Sequence, residues 1–578
     1  MAASDSGLAT GDAGPAVAPA GGRIYPRALV AAAPAMGLAL LLLLPFYRKA
    51  YTMDDTLFML QAQQLLRDPL HPTALDVVWA EVPQRLSAIM PSGPVMAYLL
   101  WPAAAHGGAE WLAHGVQGLV LGLGLWATAA LALRLGYSRL GARLAALLVA
   151  TTPAVLGMAG TVMPDIPAMA FGVLALDLFV GFTQASQPVR KLAWGLCASL
   201  ALALAALSRP HLSLLVFVAA LLSHRPDAGW DRSSLGRWLG RWLGRSLWPL
   251  GLAGALCLLA LRITQDPLQD TGVTSSIGHF ASLGGLPKNL LAFFAHASLA
   301  LPLCLPWAVL RRRYLSGRLI VAMTGLAALL MIVTGFWGSW GTRYAETIYL
   351  SPILGLAVAC FVDLLRVVVA RRERLGLALF AWLCLPLPMV FYVQLPTKYW
   401  VPTAPAVALL LLRELGLHGP QAQAITDGRM RRLLGLTLGL GALLGVLIVR
   451  TDAAFAELGR RAAAEQIAPR VQGGESVWFV GRWGFQWYAQ RAGARTVTRT
   501  PPWPAPGSIV VASNRAADSC LIEVVKKKRL LAQLGDIRWG GRVMADEVGA
   551  GFFSNGWGLL PWMISAEPLD RYDIYRVE

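Results

Sequence analysis

Three acids and a handful of cations sit where this sequence can least easily solvate them. Tyr51-Thr52-Met53-Asp54-Asp55-Thr56 places two adjacent carboxylates directly after a long apolar run. Carboxylates that close raise each other's proton affinity, which suits one of them to general-base work. A wet loop would carry the same pair with no chemistry attached. Met163-Pro164-Asp165-Ile166-Pro167 puts a third acid at the start of another apolar run, where it either favours a helix N-terminus or serves a reaction. The cations are Arg209 and His211 in Ser208-Arg209-Pro210-His211, Arg343 beside Tyr344, and Lys398 beside Tyr399. Lone cations next to apolar spans can simply snorkel to headgroups. Charge at a membrane edge is nevertheless a functional signal by default, and Arg and Lys are the usual phosphate-holding groups.

The elements that carry these residues are membrane spans. Of 578 residues, 56% are hydrophobic and 14% charged, against about 25% charged in soluble domains. Apolar segments of about 20 residues cross the hydrocarbon core as helices, because lipid offers backbone amides no partners. Such segments fall at 28–47, 111–133, 142–161, 166–184, 192–207, 211–223, 247–263, 289–310, 319–338, 346–365, 375–395, 399–415 and 433–450. The expected fold is all-α and polytopic, with about 13 spans. A soluble enzyme is excluded. The net charge of +18 does not point to nucleic acid, since the basic residues lie between spans in the positive-inside pattern. No CxxC or His/Cys cluster joins the six cysteines, so neither a disulfide framework nor a structural zinc site is expected.

Arg23/Arg27, Arg134/Arg139/Arg143, Arg190/Lys191, Arg225 through Arg245, Arg311–Arg313/Arg318, Arg366–Arg374 and Arg413–Arg432 all fall on one set of connections. That set is cytoplasmic, which puts the N-terminus inside and, after an odd number of spans, residues 451–578 outside. The chain is thus expected in an inner or plasma membrane. Residues 1–27 read as a disordered cytoplasmic tail, 28–450 as the membrane domain, and 451–578 as a small extracytoplasmic α/β domain. In that domain Ala453–Ile467 reads as helix, Ser476–Val480 and Ser508–Ala512 as strands. The Gly-Arg-Trp-Leu repeat at 236–245 suits a helix in the headgroup layer. The outer connection 48–110 is far longer than a simple loop, and Thr56–Leu66 and Val95–Trp101 read as short interfacial helices within it. Asp54, Asp55, Asp165, Arg209, His211, Arg343 and Lys398 all fall on the outer side.

This order of features resembles the C-fold (GT-C) glycosyltransferases, especially the branch of the protein O-mannosyltransferases and the lipid A aminoarabinose transferase. Members open a long first outer loop with an acidic pair, here Asp54-Asp55. They carry an acid at the start of the fourth span, here Asp165, and Arg/Lys-Tyr followed by prolines before a late span. That last motif matches Lys398-Tyr399-Trp400-Val401-Pro402-Thr403-Ala404-Pro405, with Arg343-Tyr344 and Pro352 as a competing match. Met90-Pro91-Ser92-Gly93-Pro94 and Gly481-Arg482-Trp483-Gly484-Phe485-Gln486-Trp487-Tyr488 look like uncharacterised bacterial members. Where the aminoarabinose transferase has a Glu-Lys pair before a proline, this chain has Met90-Pro91-Ser92-Gly93-Pro94, without the lysine.

The resemblance implies transfer of a sugar from a polyprenyl-phosphate donor to an acceptor hydroxyl on a glycan, lipid or protein, at the outer face. Asp54 matches the base, with Asp55 and Asp165 orienting the acceptor or tuning Asp54. Arg343, Tyr344, Lys398, Tyr399, Arg209 and His211 would hold the phosphate. No cofactor or metal is expected, although Asp54 and Asp55 are a pair able to bind a divalent ion. Two other classes fit the spans: a lipid or glycan transporter or flippase, and a non-catalytic assembly protein. Against transport, the acids lie at the outer rim and no repeat halves are visible.

Overall fold

A computed structural model describes residues 24–79, 81–90, 93–222, 235–266, 285–336, 344–419, 427–516, 519–535 and 539–578. The expected disordered tail up to residue 23, most of the connection 264–288, Arg343, and the side chains of Tyr344, Cys520 and the Arg-Trp-Leu repeat lie outside the described residues.

The chain is a multi-pass membrane protein. Among the described residues eight helices are long and apolar enough to cross a bilayer, or ten when two bent pairs are each taken as one span. Three shorter apolar helices, Val95–Ala105, Pro210–Leu222 and Gly317–Val333, accompany them. The first span starts at Ile24, four residues before its expected bound. The expected span 142–161 is broken by 60° between Arg139–Ala150 and Pro153–Ala159. Pro153 supplies the reason: it cannot donate to the preceding turn and drives Thr152 out of the helical region. The expected span 289–310 bends by 71° between Leu286–Leu299 and Cys304–Arg311, with Pro302 at the break. Leu235–Thr264 is one continuous helix, so the Arg-Trp-Leu repeat runs without a break into the span Leu247–Thr264.

Small residues let the central helices close on one another. Gly124 of Glu110–Arg134 lies against Ala170 of Asp165–Gln184, and Gly181 against Trp194 of Pro188–Ser208. Asp165–Gln184 is the most enclosed span, 78% buried. Its far end is locked by charge: Arg134 Nε donates to Asp177 at 2.7 Å, the Tyr25 hydroxyl donates to the same carboxylate at 3.0 Å, and the Arg134 guanidinium stacks over Trp194 at 4.7 Å. A buried acid paired this fully holds its ends together without stranding a charge.

Gly428–Ala462 leaves the membrane without a break and runs on through Ala463–Ile467 and Ala468–Gln472. Its 35 residues span about 52 Å, beyond the about 30 Å of hydrocarbon. The helix expected at Ala453–Ile467 is therefore the end of the helix that carries the last span, not a separate element. Beyond it lies a five-stranded mixed sheet, with Val477–Val480 (β1), Arg495–Thr496 (β2), Ile509–Ser513 (β3), Lys528–Gly535 (β4) and Arg571–Val577 (β5) ordered β2-β1-β3-β5-β4. β1 runs parallel to β2 and β3, while β5 is antiparallel to β3 and β4. β1 and β3 fall within one residue of the strands read from sequence. Their residues are buried throughout, which is why they read as short apolar runs.

Candidate functional site

Asp54 stands at the head of Asp55–Gln64, its carbonyl accepting from Leu57 at 3.0 Å. Met53, one residue earlier, is held at φ 43°, a left-handed conformation that costs a bulky side chain free energy and clusters at functional sites. The turn aims the two carboxylates in different directions. Asp54 keeps 35% of its side chain exposed and accepts from Lys398 Nζ at 3.1 Å.

Asp55 goes inward, away from the solvent-facing side of Asp54 where an acceptor would have to be oriented. It is fully buried, accepting from the Val162 amide at 2.8 Å and the Thr52 amide at 3.1 Å. Lys49 lies 3.9 Å from Asp55 but 2.8 Å from Asp452. One lysine thus faces two carboxylates and sits closer to the other. Burial pushes the Asp55 carboxyl up to about 7, with Lys49 and the Val162 and Thr52 amides working against that rise. Asp55 therefore positions: it ties the loop after the first span to the turn that delivers Asp165.

Asp165 opens Asp165–Gln184 without capping it. Both its oxygens go to Arg209, Oδ1 accepting from Nε at 3.0 Å and Oδ2 from Nη2 at 2.8 Å. Capping was one explanation for this acid; the structure gives it a guanidinium instead. Arg209 leaves Pro188–Ser208 in an extended conformation just before Pro210, where the chain must turn. Gly93 makes that turn fit, since a Cβ there would lie 2.0 Å from the Leu207 carbonyl oxygen.

Tyr399 joins the two ion pairs. Arg209 lies over its ring at 5.4 Å, His211 meets it edge-on at 5.5 Å, and Tyr392 approaches at 6.4 Å. Asp54 and Asp165 are both within electrostatic reach of Arg209 and of Tyr399. Asp54, Asp165, Arg209, His211, Lys398 and Tyr399 are thus brought together from four separate stretches of chain. Arg343 and the Tyr344 side chain lie outside the described residues. An apolar groove of about 1100 Å³ along the first span and Glu110–Arg134 contains none of these groups.

Sequence reasoning missed the residues that hold the site. Tyr488 of Trp483–Arg491 accepts from the Tyr51 amide at 2.9 Å and donates to Glu110 at 3.0 Å. Gln486 donates to the Val78 carbonyl at 2.8 Å, and the Tyr51 hydroxyl to the Gly108 carbonyl at 3.0 Å. The motif Gly481–Tyr488 is therefore a docking helix pressed onto the acidic loop. Asn289 and Asn555, 1% exposed each, form a second brace. A buried amide in an apolar helix was the available signal for Asn289.

Residues 119–231 match the family model described as dolichyl-phosphate-mannose-protein mannosyltransferase. The matched segment contains Asp165, Arg209 and His211. That match covers 113 of the chain's 578 residues. No curated protein matches it by sequence. Among solved structures it is similar to the Archaeoglobus fulgidus oligosaccharyltransferase AglB, in complex with an inhibitory peptide and a dolichol-phosphate, at 12% identity and TM-score 0.42. That likeness covers 82% of this chain and 64% of AglB, so the chain spans less than two thirds of that protein. ArnT from Cupriavidus metallidurans, bound to undecaprenyl phosphate, is similar at 14% identity and TM-score 0.43, covering 95% of this chain and 97% of that one. The mycobacterial arabinofuranosyltransferase AftD is similar at 16% identity and TM-score 0.36, covering 95% of this chain and 40% of that one. Likenesses this loose carry no residue roles across.

Proposed function

We propose that this chain transfers a sugar from a polyprenyl-phosphate donor to an acceptor hydroxyl, with Asp54 as the general base. One observation carries the reading: a part-exposed carboxylate and a lysine, 3.1 Å apart, stand beside a second acid–guanidinium pair at the ends of membrane helices. The acceptor oxygen attacks the anomeric carbon and its proton passes to Asp54. The bond from that carbon to the phosphate oxygen breaks, and the electron pair leaves with the polyprenyl phosphate. Lys398 and Arg209 offset the charge that gathers on the departing phosphate. A monophosphate is within the reach of two side-chain cations, so the reading assigns no metal. Asp165 holds Arg209 in place, and Asp55 keeps the loop docked.

The reaction faces outward. Arg134, Arg139, Arg311, Arg371 and Arg413 lie at the opposite helix ends from Asp54 and Asp165, which supports a cytoplasmic N-terminus and an extracytoplasmic C-terminal domain. The test is Asp54→Asn in the full chain, scored by mass spectrometry of envelope glycans, lipids and glycoproteins with and without the protein. Loss of one sugar modification, about 10²-fold or more in rate, with retained binding of undecaprenyl phosphate, is expected. Wild-type turnover in Asp54→Asn, or no sugar missing when the protein is absent, refutes the reading.

A further inference from the structure

Lys398 and Tyr399 sit at the end of a stretch with little regular structure of its own. Between the short helical turn Leu387–Phe391 and Thr397, the backbone relies on partners from elsewhere. Asn289, on Leu286–Leu299, donates to the Val390 carbonyl at 3.0 Å and to the Tyr392 carbonyl at 2.6 Å. Asn555, in the C-terminal domain, accepts from the Leu395 amide at 3.1 Å and donates to Asn289 Oδ1 at 2.8 Å. The Phe552 carbonyl accepts from the Thr397 amide at 3.3 Å, and Ser554 bonds Gln394. The Thr397 hydroxyl meets His296 Nδ1 at 2.9 Å. Leu395 and Thr397 are fully buried. The loop that presents Asn555 is itself tight: a Cβ at Gly558 would lie 2.0 Å from the Gly549 carbonyl oxygen.

From this we infer that Asn555 is a positioning residue for the phosphate-binding arm, fixing Lys398 and Tyr399 from the C-terminal domain through Leu395 and Asn289. The inference rests on the proposed role of Lys398. Its physical basis is that both Asn555 bonds lie in a dry environment. Removing the amide strands the Leu395 donor and one Asn289 acceptor, and groups stranded without water pull the backbone toward other partners. The residue then acts on phosphate affinity without touching phosphate. The C-terminal domain thereby braces both sides of the site: the acidic loop by Tyr488 and the cationic arm by Asn555.

The experiment is a double-mutant cycle on the full chain in detergent, with undecaprenyl phosphate as probe and undecaprenol, which lacks the phosphate, as control. Lys398→Ala and Asn555→Ala should each weaken undecaprenyl phosphate binding by about tenfold while leaving undecaprenol binding within about twofold. In the Lys398→Ala background, Asn555→Ala should add no more than about a twofold loss, because the arm it fixes no longer carries the charge. Asn289→Ala tests the same link from the membrane side, and serves if Asn555→Ala does not fold. Losses that multiply in the double variant, or equal losses for both lipids, overturn the positioning role and leave the proposed function standing. Wild-type binding by Lys398→Ala overturns both.

Discussion

Arg209→Gln removes one half of a buried, doubly bonded ion pair, and the structure says how much that costs. Asp165 is fully buried and both its oxygens accept from Arg209, at 3.0 and 2.8 Å. Removing one member of such a pair leaves a charge with neither water nor partner, at a cost of about 3–5 kcal/mol. Loss of the Arg209 stack over Tyr399, 5.4 Å from the ring centroid, adds about 0.5–1 kcal/mol. Asp165→Asn alone strands the guanidinium instead. In the double variant Asp165→Asn/Arg209→Gln two neutral amides face each other, and about 2–3 kcal/mol of the summed losses should return as coupling. Arg209→Lys offers one donor direction where the fork offered two, and should fall between wild type and Arg209→Gln. The assay is unfolding of the purified chain by SDS titration, followed by tryptophan fluorescence. Arg209→Gln as stable as wild type, or a double variant costing the plain sum of the singles, refutes the argument that this pair is held in a low-dielectric site.

Two further perturbations test the supports. Burial raises the Asp55 carboxyl from its ordinary 3.8 to about 7, so the folded state binds its proton more tightly than the unfolded chain does. The resulting stability is complete below about pH 3.8 and is lost as pH climbs to about 7, an effect on the order of 4 kcal/mol; the melting temperature in detergent should fall from pH 5 to pH 8, and Asp55→Asn should flatten that dependence. At Gly484 a Cβ would lie 1.9 Å from the Tyr51 carbonyl oxygen, backbone against backbone, so Gly484→Ala should lift Trp483–Arg491 off the acidic loop and speed hydrogen exchange at Tyr51 to Asp55 about tenfold or more. Unchanged exchange there would count against the docking role of that helix.

The membrane class and the two buried strands were legible because each follows from local composition. Apolar length alone makes a span. Asp54, Asp165, Arg209, Lys398 and Tyr399 stood out because charge at an apolar boundary is costly enough to need a reason. What sequence could not assign was direction. Asp54 and Asp55 are adjacent and chemically identical; Met53 at φ 43° turns one outward and buries the other, and nothing in the residue types distinguishes them. The bends at Pro153 and after Leu299 were hidden for a related reason, since a hydropathy window averages across a proline. The bracing residues are less visible still. Asn555 acts on Leu395 from 160 positions away, and Tyr488 on Tyr51 from 437.

Both pairs at the site are complete without a ligand, and their inequality says which one a phosphate can enter. Arg209 gives two bonds to a carboxylate whose side chain is 1% exposed. Withdrawing it would strand Asp165, the costly outcome of a broken buried pair. Lys398 makes a single 3.1 Å contact with a carboxylate that is 35% exposed, where water can replace what is lost and the pair itself is worth little. A lysine is also a mobile point charge on a flexible stem, whereas a guanidinium fork is fixed by its two bonds. In the proposed reaction Lys398 is therefore the cation the donor phosphate recruits. Its departure leaves Asp54 without a counter-ion just as a base is needed, so donor binding and activation of the base become one event.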